Sequence, residues 1–218
     1  MAASACAPTF APPLRSGTMG APGRVQAGDV DLGGAAVGTV ASAPRYGGPA
    51  LAIGITDGVA IEAGGDFAAS GWAMGFGGAR LTGRVPLRKQ FRLVGDTEFG
   101  AGAGVGGSRC RGAWSCVGDG RRWYERAAGG GYLGVGGALR WRIPTIYTRL
   151  RVQATTATSI PSTIWTTWNS GVELRFARRV SLWAAVGLAD YWNRRDSRWG
   201  FIYELGLAVR LSRRGSLR

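Results

Sequence analysis

The feature that most restricts the fold is the alternation at the C-terminal end. In residues 199–211, Trp199, Phe201, Tyr203, Leu205, Leu207, Val209 and Leu211 take every second position, with Gly200, Ile202, Glu204, Gly206, Ala208 and Arg210 between them. A repeat of two places those side chains on one face of a β-strand, whereas a helix would need a repeat of 3.6. The preceding arm, residues 180–192, is also apolar, and the polar residues 193–198 join the two as a hairpin. The alternation outlasts an ordinary strand of about 5 to 6 residues and suits a tilted membrane-crossing strand of about 9 to 11.

The same period recurs upstream. Val30, Leu32, Ala36 and Val40 share one parity, with Asp29 and Asp31 on the other. Leu51, Ile53 and Ile55 precede Thr56-Asp57-Gly58, and Val59, Ile61 and Ala63 follow it, with Glu62 and Asp66 on the opposite face. Asp-Gly between two such runs is a hairpin signal. Alternating segments continue over residues 71–85, 91–105, 129–142, 146–153 and 163–176, so the chain reads as ten strands. Within residues 71–78, Trp72, Met74 and Phe76 share parity with Arg80 and Arg84, which predicts a bulge or register change near Gly77-Gly78. Residues 1–25, with Pro8, Pro12, Pro13 and Pro22 and no period, read as a flexible N-terminal arm. Residues 26–211 form the strand domain and residues 212–218 a C-terminal tail.

The parity opposite the apolar one carries charge of both signs. Arg80, Arg84, Arg92, Asp96, Glu98, Arg140, Arg142, Arg149, Arg151, Glu173, Arg175, Glu204 and Arg210 all fall on it. Charges of both signs facing lipid would be costly, so this face is expected to line a lumen filled by ion pairs, with an arginine-lined pore for small anions as the alternative. If both chain ends lie at one end of the cylinder, the short connections at residues 56–58, 86–90, 143–144 and 177–179 share that end. The connections at residues 41–48, 67–70, 106–128, 157–162 and 193–198 then share the other and are mostly longer. Aromatic residues gather near both rims, with Trp165, Trp168, Trp192 and Trp199 at one and Trp141, Tyr147, Phe91 and Phe176 at the other, as two interfacial girdles would.

Composition excludes several functions. No apolar run approaches the roughly 18 residues of a membrane-spanning helix. The net charge is +14, and all of the basic residues except Lys89 are arginine. Because the arginines are spread over strands and turns and form no tail or helix face, the charge argues against nucleic-acid binding. The chain contains no His, so a Ser-His nucleophile lacks its base and a metal site lacks its commonest ligand; no cofactor or metal is expected. Cys110 and Cys116 lie close enough in residues 106–128 for a loop disulfide in an oxidising compartment. The same segment carries Arg121, Arg122, Trp123 and Tyr124, an outer-loop interaction patch. Cys6 follows Ala3-Ser4-Ala5, and that small-residue run resembles the end of a bacterial lipoprotein signal, which would make Cys6 a lipidation position.

Taken together, residues 26–211 resemble the bacterial outer-membrane β-barrel proteins. The most specific match is Glu204-Leu-Gly206-Leu-Ala-Val209-Arg-Leu211, similar to that family's C-terminal assembly signal, although the final residue is Leu where an aromatic is common and further residues follow. The resemblance implies an antiparallel up-and-down transmembrane barrel in the outer membrane. Its partners would be outer-membrane lipid, lipopolysaccharide and the barrel-assembly machinery, reached through the last strand. The expected role is non-catalytic, structural or surface-interacting, with a narrow anion-preferring, porin-like channel as alternative. A soluble lipocalin-like binder would use the same alternation with Leu133, Val135, Leu150, Val172, Leu205 and Val209 turned inward around an apolar ligand.

Overall fold

A computed structural model describes residues 11–39, 44–68, 72–88, 91–106, 126–141, 143–158, 160–176, 179–194 and 197–212. The strands are β1 (Asp29–Thr39), β2 (Pro44–Gly54), β3 (Val59–Ala68), β4 (Trp72–Arg88), β5 (Phe91–Gly106), β6 (Arg126–Arg140), β7 (Pro144–Ala157), β8 (Ile160–Phe176), β9 (Val180–Trp192) and β10 (Ser197–Ser212). Each pairs antiparallel with its sequence neighbours, and β10 returns to β1, closing a ten-stranded up-and-down barrel. Val30 stands opposite Leu211, Leu32 opposite Val209 and Ala36 opposite Leu205 at the closing seam. The apolar parities of the first and last strands therefore meet on one face, and closure removes the free edge that an open sheet would leave.

Four connections and the outer ends of β1 and β10 share one end of the cylinder, hereafter the turn side. Residues 40–43, 69–71, 107–125, 158–159 and 193–196 join strands at the other, the loop side. The sequence reading gave residues 41–48 and 157–162 to loops, but β2 already begins at Pro44 and β8 at Ile160. Rim backbone groups gain partners by pairing with the neighbouring strand even where the side chains do not alternate, so the strands outlast the pattern. Residues 107–125 form the one long connection.

The wall is apolar outside and polar inside, the reverse of a water-soluble barrel. Leu133, Val135, Leu150, Val172, Leu205 and Val209 are all exposed, with Leu205 at 57%. They do not face an interior ligand, and the lipocalin-like arrangement is excluded. A closed cylinder with an apolar band outside and its charges inside is built to face hydrocarbon. Exposed Trp192 and Trp199 lie toward the loop side, and exposed Trp141 and Phe176 toward the turn side, where Phe91 stacks on Trp141 at 5.8 Å, whereas Trp168, expected at the loop-side rim, stands midway along β8. Two of the expected girdle residues point inward instead. Trp165 and Tyr147 are buried, because their odd-numbered positions on β8 and β7 belong to the lumen parity of Glu173 and Arg149.

The interior is filled by the chain's own N-terminal segment. The expectation of a flexible arm needs correction over residues 11–25: Ala11, Leu14, Arg15, Thr18, Met19, Ala21, Arg24 and Val25 are all buried inside the barrel. Ala11 donates its N–H to Thr163 Oγ1 at 3.0 Å and accepts from Trp165 Nε1 at 2.9 Å near the loop side. At the turn side Gly28 donates to the Gly54 carbonyl at 2.9 Å, and β1 begins at the next residue. The segment thus runs the length of the lumen before the first strand starts. It also explains Trp72, Met74 and Phe76. No bulge interrupts β4 at Gly77-Gly78, where pairing with β3 and β5 runs on in register, and the irregularity lies at Pro86 to Arg88. These three side chains face inward because Ala11 and Leu14 pack on them together with Tyr132.

An arginine at the mid-wall position Leu205 is expected to cost about 2 to 4 kcal/mol by facing hydrocarbon. Refolding of Leu205→Arg into lipid vesicles, scored by heat-dependent gel migration, should therefore yield much less folded species than the parent. An unchanged yield would contradict a lipid-facing wall.

Candidate functional site: the plugged, ion-paired lumen

Ten strands enclose only a modestly wider space than the eight whose side chains just fill a barrel, so one extended peptide and the inward side chains suffice to close it. The wall supplies charge and the plug supplies both charge and backbone. Midway along the axis, Arg15 of the plug meets Glu62 of β3 at 2.5 Å and Glu98 of β5 at 3.6 Å. Arg80 of β4 reaches Glu62 at 2.6 Å, Asp96 at 3.3 Å and Glu98 at 3.5 Å. From β7, Arg149 pairs with Asp96 at 2.9 Å and Glu98 at 3.1 Å, and Arg151 with Glu98 at 2.6 Å. All of these side chains are at most 2% exposed. Charges so deep are tolerable only when each has an opposite partner, and Glu98, touched by four guanidinium groups, is the hub. The Arg15 guanidinium lies over both the Phe76 and the Tyr132 ring, 4.9 and 5.8 Å from their centroids, adding cation–π attraction in a dry environment.

Other wall carboxylates hold the plug backbone. Asp66 accepts both the N–H and the hydroxyl of Ser16. Glu204 accepts the Thr18 N–H at 2.9 Å, the Thr18 hydroxyl at 2.6 Å and Trp183 Nε1 at 2.7 Å on one oxygen, and Asn169 Nδ2 at 3.1 Å on the other. Glu173 accepts the Ala21 N–H at 2.6 Å and Arg175 Nε at 3.0 Å. The plug has no neighbouring strand, so its backbone donors must find side-chain acceptors, and ionised carboxylates are the strongest available. In return, Gln153 Nε2 and Arg151 Nη1 donate to the Arg15 carbonyl at 2.8 and 3.3 Å. The plug turns at Gly20 and Gly23, with φ of 77° and 64°. At Gly20 a Cβ would come within 2.6 Å of Glu173 Oε2, so that turn demands glycine both for its backbone and for its closeness to the wall.

Toward the turn side, Asp31 of β1 joins Arg24 at 2.6 Å and Arg210 of β10 at 2.9 Å, and Arg210 also reaches Asp29 at 3.1 Å and the Arg24 carbonyl. This cluster ties the plug, the first strand and the last strand together at the barrel seam. Arg84 and Arg140 bond plug carbonyls and no carboxylate among the described residues.

The expected lumen charges thus separate into groups. Arg80, Asp96, Glu98, Arg149 and Arg151 converge on the central network, Glu173, Glu204 and Arg210 anchor the plug, Arg175 pairs with Glu173, and Arg84 and Arg140 line the turn side. Arg92 is exposed there and joins no network among the described residues. Arg142, the loop residues Arg121, Arg122, Trp123 and Tyr124, and Cys6, Cys110 and Cys116 lie outside the described residues. Sequence reasoning missed Arg15, Ser16, Thr18, Gly20 and Arg24. The signal that could have found them was the apolar set Trp72, Met74 and Phe76 on a charged parity, which required something apolar inside the barrel.

Replacing Glu98 by Gln keeps the shape and removes the charge shared by Arg15, Arg80, Arg149 and Arg151. Breaking a buried ionic cluster in this way typically costs about 3 to 5 kcal/mol. The urea midpoint of Glu98→Gln refolded in lipid vesicles should fall accordingly, whereas Arg194→Gln, at an exposed loop-side position, should leave it unchanged.

No protein-family model matches this sequence, and no curated protein does. Among solved structures, the barrel is similar to the N-terminal β-barrel domain of Pseudomonas aeruginosa OprF, at 9% identity and TM-score 0.37 over 85% of this chain and 98% of that one. It is similar to OmpT, an outer membrane protein of Vibrio cholerae, at 8% identity and TM-score 0.33 over 84% and 95%. The outer membrane protease OmpT of Escherichia coli follows at 6% identity and TM-score 0.32 over 84% and 92%.

Proposed function

We propose that this chain is a non-catalytic barrel of the bacterial outer membrane, closed to solutes by its own N-terminal segment, and that it serves a structural or surface-interaction role. The observation that carries this reading is the seating of residues 11–25, packed from Ala11 to Val25 along the lumen and held by Glu62, Glu98, Glu173 and Glu204. A channel that conducts in its resting state does not fill its bore with peptide bonded to the wall. The absence of His from the sequence supports the non-catalytic part of the reading. The apolar band supports lipid as the surrounding medium. The last strand, carrying Glu204-Leu-Gly206-Leu-Ala-Val209-Arg-Leu211, is the segment assigned to the assembly machinery. Interaction at the surface falls to residues 107–125, with Arg121, Arg122, Trp123 and Tyr124 as the contact residues, lipopolysaccharide as the acidic partner their charge suits and Cys110 and Cys116 as the loop's disulfide.

One observation favours the narrow anion-preferring pore as a second reading. A crevice remains between the plug and the wall, lined by Arg15, Thr18, Gly34, Gly48, Gly65 and Asp66, among others. Planar-bilayer recording distinguishes the two. The full chain should be silent, and deletion of residues 11–25 should produce discrete steps with anion preference, because Arg80, Arg149 and Arg151 would then line open water. Discrete anion-selective steps from the intact chain would reject the closed barrel in favour of the pore.

A further inference from the structure

Most buried arginines of this lumen stand beside a carboxylate: Arg15 and Arg80 beside Glu62, Arg149 beside Asp96, Arg151 beside Glu98, Arg24 beside Asp31. At the turn side this rule lapses. Arg140 Nη2 donates to the carbonyls of Pro22 at 3.3 Å and Gly23 at 3.0 Å. Arg84 Nη2 donates to the same Gly23 carbonyl at 3.4 Å and to that of Val25 at 3.3 Å, and its Nη1 to the Asp57 carbonyl at 2.5 Å. Two guanidinium groups therefore meet on one neutral oxygen. Neither makes an ion pair among the described residues.

More positive charge surrounds them. Arg92 of β5 stands directly across from Arg140 of β6 in the strand register and is exposed. Arg175 lies within electrostatic reach of both Arg84 and Arg140. The nearby acids are already engaged: Glu173 accepts Arg175 Nε at 3.0 Å and the Ala21 N–H at 2.6 Å, and the Asp57 carboxylate accepts the Ala27 N–H at 3.2 Å. Arg84 Nε, Arg140 Nε and Arg175 Nη2 are each buried without a hydrogen-bond partner among the described residues. Like charges gathered in a partly dry mouth, with donors left over, are stabilised by an anion that brings several acceptor oxygens. Guanidinium forks match phosphate oxygens in geometry as well as charge.

We propose that the turn-side mouth is a binding site for a phosphate-class oxyanion, held by Arg84, Arg92 and Arg140 with Arg175 at its edge. The anion replaces the missing carboxylate below the plug and locks residues 22–25 against the wall. Its source is either a soluble phosphate compound or the headgroup of an anionic phospholipid at the adjacent rim. The inference rests on the barrel and its plug, and it stands whether or not the lumen conducts.

The test uses the full refolded chain. In detergent at low salt, calorimetric titration with inorganic pyrophosphate is expected to show saturable binding that Arg84→Gln/Arg140→Gln weakens by at least about tenfold per guanidinium removed, while Arg194→Gln leaves it unchanged. Should that pair fail to give a heat-modifiable barrel, Arg92→Gln/Arg175→Gln is expected to weaken binding in the same direction. Native mass spectrometry from nanodiscs containing phosphatidylglycerol or phosphatidylcholine forms the second arm. Retention of phosphatidylglycerol alone, lost in the same variants, without pyrophosphate binding, assigns the site to a lipid headgroup. Pyrophosphate binding without lipid retention assigns it to a soluble phosphate. Absence of both, or binding that the arginine variants do not change, overturns the proposal.

Discussion

The interaction on which this structure most depends is the bonding of an unpaired peptide to a charged wall inside a closed sheet. The strands pair with one another and need nothing from the interior, but the plug lacks a neighbouring strand. Its donors at Ser16, Thr18 and Ala21 therefore end on Asp66, Glu204 and Glu173. Those carboxylates could not remain buried and ionised without donors, and the plug could not remain buried without acceptors. Each makes the other tolerable, and Glu98 at the centre, with Arg15 from the plug and Arg80, Arg149 and Arg151 from the wall around it, is where the two sets interlock.

This arrangement assigns separate tasks to the two faces of each strand. The outward parity is mainly apolar and is satisfied by hydrocarbon, and its hydroxyls pair locally, as Ser170 does with Thr148 at 3.0 Å. The inward parity carries the chain's specificity, because a buried arginine tolerates few neighbours and a displaced one is costly. Small inward residues provide the space. Gly206 of β10 leaves room for the Trp183 indole, which then donates to Glu204 at 2.7 Å and joins the group holding Thr18. Inward glycines are thus in part the clearance needed by large polar side chains and by the plug.

The turn side is organised differently from the middle. The central network is nearly matched in charge, whereas Arg84, Arg92 and Arg140 are held by carbonyls or left exposed. The seam between β1 and β10, on the opposite wall at the same end, is bound by Asp29, Asp31 and Arg210, with Arg24 added from the plug. Plug, seam and basic mouth therefore form one connected region, and whatever occupies the mouth bears on how firmly the plug is held.

Sequence alone determined the strand number, the antiparallel meander and the parity that carries charge, because a period of two survives any arrangement of the strands in space. It put Arg80, Asp96, Glu98, Arg149 and Arg151 on the charged parity, and in the structure all five are buried. Tertiary structure alone decided what they meet. Residues 11–28 have no period, and nothing local distinguishes a proline-containing tether from a proline-containing plug; the difference lies mostly in distant contacts, such as Arg15 with Glu62, 47 positions away, and Thr18 with Glu204, 186 away. The same holds for Trp165 and Tyr147, whose aromatic character suited an interfacial girdle, while their strand parity turned them toward the lumen. Pairing of Arg15 with Glu62, and of Thr18 with Glu204, exists only once closure has brought β3, β10 and the N-terminal segment to a common axis.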